Sequence, residues 1–221
     1  MKLLYKLNPY IFGAEMLYSL AIAIFCIAIF FITKEIYSLT KHKGIKYFRL
    51  AFLGLSAAYI ARLLVHMGIL NYLLVDQSQF NLNLISVMVT IGSFFSILGI
   101  LYLGYSLFWR KISEEKFTVI SLFIASATSL VAFIIKEIEL IFLIELLILL
   151  GIIIYILVLC INEGRKLKNK TIYLLIISFL LFDLLSMNQS FPLPYYLILC
   201  VEIVSILVFT IILHKVLKWV K

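Results

Sequence analysis

Charge is scarce in this sequence. Charged residues make up 14% of its 221 positions, about half the share found in a soluble domain. Hydrophobic residues make up 65%, and the mean hydropathy is +1.17. Such a chain cannot cover its surface with polar groups, so lipid must be its solvent. Cysteine is sparse as well. Cys26, Cys160 and Cys200 fall inside or at the edge of apolar runs, show no metal spacing and no pairing pattern, and read as packing residues. The histidines are His42, His66 and His214, with neither HxxxH nor HExxH, so the pattern of a seven-helix zinc hydrolase is missing. No helix-core pair offers axial ligands to a b-type haem, and no GxSxG turn offers a nucleophile. No catalytic residue, metal or cofactor is therefore expected. The net charge is +8, but the charges sit in short loops and form no basic face. Topology and anionic lipid headgroups account for them better than nucleic acid does.

What is present is a series of long apolar runs. A spanning helix needs roughly 20 apolar residues. Seven segments qualify: Ala14–Tyr37, Tyr47–Leu70, Leu84–Trp109, Phe117–Ile135, Leu140–Ile161, Thr171–Met187 and Tyr195–Val216. The fold class read from them is all-α, a polytopic seven-helix bundle in the cell membrane. No connecting loop is long enough for a soluble domain, so residues 1–221 form one transmembrane domain. Met1 to Phe12 lacks a cleavage site and is expected to lie in the outer interface.

The loops alternate in charge. One side carries Lys34, Lys41, Lys43, Lys46 and Arg49, then Arg110, Lys111 and Lys116, then Arg165, Lys166, Lys168 and Lys170, and finally Lys215, Lys218 and Lys221. The other side holds Lys2, Lys6 and Lys136. The positive-inside rule then puts the N-terminus outside and the C-terminus in the cytoplasm, which requires an odd number of spans. Tyr37, Tyr47, Trp109, Tyr173 and Trp219 fit as interfacial anchors inside, and Tyr10, Tyr72, Tyr195 and Tyr196 outside.

Gly92, Ser93, Ser96, Gly99 and Gly104 give the third run a small-residue face, and Ala125, Ser126, Ser129 and Ala132 do so for the fourth. Close helix packing explains such faces; a polar substrate path is the alternative. Ionisable residues inside the apolar runs are Arg62, His66, Glu145, Asp183 and Glu202, with Glu15 near a boundary. Arg62 lies about eight residues from the outer end of its run, roughly 12 Å deep at helical rise. Each such charge costs on the order of 3 kcal/mol in hydrocarbon, so it is expected to face the bundle interior and find a partner. The simplest arrangement pairs Arg62 with one or two of Glu145, Asp183 and Glu202 around an outward polar cavity. One reading makes this a structural ion pair. The other makes it a ligand or ion site, because three acids face one fixed cation.

The alternating topology resembles that of microbial rhodopsins, a resemblance that implies a retinal lysine in the middle of the last helix. YYLILCVEIVSILVFTIILHKV has no lysine before Lys215 at its inner end. IYSLTKHKGIKYF and CINEGRKLKNKTIYLL form similar Lys-rich hairpins, as in three-plus-one-plus-three sugar transporters. The proline–glutamine kink pair of those transporters is missing; Pro192 and Pro194 lie in an outer loop. The Lys-rich hairpin followed by YFRLAFL also resembles small uncharacterised seven-helix membrane proteins of archaea, over the first two helices, and implies no activity. The expected function is a non-enzymatic membrane module: a receptor-like sensor, or a subunit partnering a membrane or cytoplasmic protein. Its alternatives are a small secondary transporter or channel and an intramembrane metal-dependent hydrolase.

Overall fold

A computed structural model describes residues 9–74, 82–109, 113–135, 143–154 and 195–220. The described residues form six helices: α1 Pro9–Thr40, α2 Lys43–Leu74, α3 Leu82–Phe108, α4 Glu114–Ile135, α5 Leu143–Ile154 and α6 Tyr195–Val220. The chain is all-α. Four of these helices, α1, α2, α3 and α6, contain stretches long and apolar enough to cross a membrane. The run Thr171–Met187 and both ends of the run Leu140–Ile161 lie outside the described residues.

The helices outrun the apolar segments. α1 starts at Pro9, whose fixed φ and missing N–H suit a first helical position. Residues 9–12, expected to lie in the outer interface, form the first turn of α1. At the other end Lys41 has φ 50° and its N–H donates to the Tyr37 carbonyl oxygen at 2.9 Å, which closes α1 with a left-handed cap. The His42 carbonyl oxygen then accepts from Lys46 N at 3.1 Å and starts α2. Only Lys41 and His42 separate the two helices, so they fold back as a tight antiparallel hairpin. Tyr18 meets Tyr59 edge-on at 6.2 Å, and Arg49 Nε donates to the Phe30 carbonyl oxygen at 3.3 Å near the turn.

α2 and α3 lie backbone to backbone. A Cβ on Gly54 would stand 3.1 Å from Gly99 Cα and 3.1 Å from the Phe95 carbonyl oxygen. Further along, Gly92 faces Ala58 and Ala61, and Gly44 faces the Ser106 carbonyl oxygen. Residue numbers rise on one helix as they fall on the other, so this pair is also antiparallel. The small-residue face expected on the third run is therefore a packing face. Ser93 donates to the Thr90 carbonyl oxygen, Ser56 to Leu53 and Ser106 to Leu103, each within its own helix.

α4 attaches at the lysine-rich end. Phe117 stacks on Tyr105 at 4.0 Å and 13°, Tyr47 closes on Tyr105 at 4.5 Å, and the Tyr47 hydroxyl pairs with Thr118 Oγ1 at 3.1 Å. Tyr47 is only 2% exposed. It was expected as an interfacial anchor, and the correction has a simple cause: the ring turns inward to fill the α2–α3–α4 junction. Glu114, in the first turn of α4, takes Lys46 Nζ at 2.5 Å and Lys43 Nζ at 3.2 Å. α6 packs on α1, with Phe209 lying between Phe25 and Phe52. The core is Ile22, Cys26, Phe52, Leu55, Ile97 and Phe209, all buried.

The outward faces stay apolar. Leu17, Phe123 and Ile134 are 70%, 73% and 75% exposed. Groups of large exposed side chains on several helices are too extensive for a water-facing monomer and suit lipid. Cys26 is buried, as a packing residue should be, whereas Cys200 is exposed. Cys160 lies outside the described residues.

Candidate functional site

The hairpin brings the far ends of α1 and α2 together at the end opposite the lysines. Glu15 precedes the Lys41–His42 turn by almost as many residues as His66 follows it, so antiparallel helices put the two at one level. His66 Nε2 lies 2.6 Å from Glu15 Oε2. The two side chains are 12% and 24% exposed, so the contact is largely withdrawn from solvent. His66 Nδ1–H donates to the Arg62 carbonyl oxygen, one helical turn back, at 2.8 Å. This bond fixes the ring and aims Nε2 at α1. The Arg62 guanidinium stands over the Tyr18 ring at 5.7 Å and acts on the Glu15 charge. Tyr18 is buried and braced by Tyr59.

Of the residues expected to form the site, Arg62 and His66 are thus together on one face of α2. Glu145 on α5 and Glu202 on α6 are buried, 3% and 7% exposed. Asp183 lies outside the described residues. Glu15, which the sequence places near a boundary and outside the expected Arg62 pairing, is the partner of His66. Counting outward from the hairpin turn on both helices would have matched it to that histidine. Among the described residues no group of three or more His, Cys, Asp or Glu side chains converges as a metal site would require.

A second polar cluster lies at the lysine-rich end, outside the apolar spans. Hydrogen bonds from Lys46, then Lys43, hold the Glu114 carboxyl below the usual carboxylate range. His42 meets Trp109 edge-on at 4.8 Å beside it. This cluster ties α4 to the start of α2. With both lysines well solvated it reads as a structural tie.

No family model matches the chain. No solved structure matches it. It is similar to an uncharacterized protein of Archaeoglobus fulgidus, 28% identical over 219 residues that cover 96% of each chain. That similarity extends past the first two helices to the whole length, and it carries neither an activity nor a helix count.

Proposed function

We propose that the chain is a seven-helix, multi-pass protein of the cell membrane, with its N-terminus outside and its C-terminus in the cytoplasm. It works there as a non-enzymatic module, receptor-like or as a subunit of a larger membrane assembly, through the polar site that joins α1 and α2. The observation that carries this reading is the Glu15–His66 contact at 2.6 Å, with Arg62 beside it, inside otherwise apolar helices. Ionisable groups retained at such cost mark working sites more often than lipid-facing positions do. The lysine-rich loops support the orientation and give the inner face an attraction for anionic headgroups.

The same geometry favours a module over a transporter. Between the polar site and the lysine-rich end lie Ile22, Cys26, Phe52, Leu55 and Phe209, followed by the Tyr47–Tyr105–Phe117 aromatic group. Ser56, Ser106 and Ser205 donate to carbonyl oxygens of their own helices. Arg62, His66, Glu145, Asp183 and Glu202 are assigned to one site with Glu15 on this reading.

Two measurements test the proposal. A tag after Lys221 should be reached only after permeabilisation; labelling on intact cells would overturn the orientation and the odd helix count. Gentle extraction from native membranes should recover the chain in a larger assembly. An isolated monomer whose proteoliposomes pass protons, cations or small polar solutes would replace the module reading with a transporter.

A further inference from the structure

The Glu15–His66 contact carries a proton count that follows from its geometry. The Arg62 carbonyl oxygen, 2.8 Å from His66 Nδ1, is an acceptor only, so Nδ1 holds a hydrogen. Nε2 lies 2.6 Å from Glu15 Oε2. At that distance facing lone pairs would repel, so a proton stands between them. It belongs to an imidazolium facing a carboxylate or to a carboxylic acid facing a neutral imidazole. Both forms hold the same proton and have the same net charge. Separated in water near neutral pH, a glutamate and a histidine with ordinary values of about 4.3 and 6.5 would hold one proton fewer.

We propose that Glu15 and His66 form a one-proton site that clasps α1 to α2 and parts the two helix ends when its proton leaves. The step balances simply. The imidazolium–carboxylate pair loses one proton to solvent and becomes a neutral imidazole facing a carboxylate, whose lone pairs no longer attract. The proposal rests on the polar site being the working site and names its ligand as a proton.

The surroundings set how the clasp behaves. On α1 the facing groups are Glu15 and Tyr18; on α2 they are Tyr59, Arg62 and His66. Arg62 is the fixed cation of this group, its guanidinium 5.7 Å over the Tyr18 ring. α6, packed on α1, carries the buried Glu202. α3, packed on α2, offers Ser86 and Thr90 in the neighbouring stretch and no titratable side chain from Leu84 to Phe95. At the other end the Lys41 cap and the Arg49–Phe30 bond hold α1 to α2, so the movement is a hinge about the lysine-rich turn.

The test uses the full chain in phosphatidylcholine nanodiscs. Ring-labelled histidine, with H42N and H214N to remove the other two signals, gives the protonation of both His66 nitrogens, and the infrared carboxyl bands give that of Glu15. Nitroxides at L17C and M67C, positions 70% and 50% exposed, give the α1–α2 distance in a chain carrying C26A, C160A and C200A. One shared proton is expected at every pH where the distance is short, and the distance should lengthen as one proton per chain is lost. In E15Q the amide donates to Nε2 without a shared proton, so the short distance should persist at alkaline pH. A neutral His66 with an ionised Glu15 at the short distance would overturn the site, as would an unchanged pH dependence in E15Q. Neither readout needs a partner, so the proton site stands or falls separately from the assembly reading above.

Discussion

Replacing Gly99 tests the α2–α3 seam. A Cβ there would lie 3.1 Å from the Ala51 carbonyl oxygen, 3.1 Å from Leu55 N and 3.2 Å from Leu55 Cγ, where ordinary contact begins at 3.4 Å. Two of these three atoms are backbone, so no rotamer change relieves them. The helices must part by a few tenths of an ångström along a seam that also holds Gly54 against Gly99 Cα. Alanine gains about 1 kcal/mol of helix propensity over glycine, while overpacking costs about 1–3 kcal/mol. Gly99→Ala should therefore destabilise by up to about 2 kcal/mol, and Gly99→Leu, with three more carbons to place, by roughly 3 kcal/mol or more. Gly151 supplies the control, since a Cβ there meets nothing within 4 Å among the described residues. Gly151→Ala should be neutral or stabilising by up to about 1 kcal/mol. Thermal unfolding of the purified chain in one detergent, followed by circular dichroism, measures all three. A Gly99→Leu chain melting at the wild-type temperature would refute the close seam. So would a Gly99→Ala chain stabilised as much as Gly151→Ala.

Glu114→Gln should cost up to about 1 kcal/mol near neutral pH, because its lysine partners are solvated. The lowered Glu114 value means its contribution is present above the ordinary glutamate range and is lost as pH falls through the folded value; a wild-type acid limb identical to that of the variant in a pH series of melts would refute it. Lys41→Gly should stabilise by about 1 kcal/mol, since φ 50° is strained for lysine and free for glycine; an unchanged melting temperature would count against the cap. Arg62→Leu should cost on the order of 3–5 kcal/mol, less in acid where carboxylates can take up protons; a melt equal to wild type at neutral pH would show that Arg62 only snorkels outward.

That α1, α2, α3 and α6 are long and apolar enough to cross a membrane was legible from hydropathy, and so was the packing face around Gly92 and Gly99. Hydropathy marks the hydrocarbon layer, however, and a helix continues wherever its backbone bonds do. That is why Lys43 and Lys46 belong to the first turn of α2 although they read as loop residues. Tyr47 was misread for a related reason: an aromatic beside lysines fits both an interface and a core, and only the neighbours Tyr105, Phe117 and Thr118 decide. At the site, Arg62 and His66 were visible from their spacing on one helix. Glu15 was visible only once the hairpin register was counted, because its partner lies on another helix.

The shortness of the α1–α2 turn bears on how the protein is made. Its Glu15–His66, Tyr18–Tyr59 and Phe30–Arg49 contacts all close within the first third of the chain. The glycine seam closes as soon as α3 follows. All of them lie within the first three helices and need none of the chain that follows. The first three helices can therefore settle as a unit during synthesis, hiding Arg62 before the later helices arrive, so the growing chain need not leave that charge facing lipid.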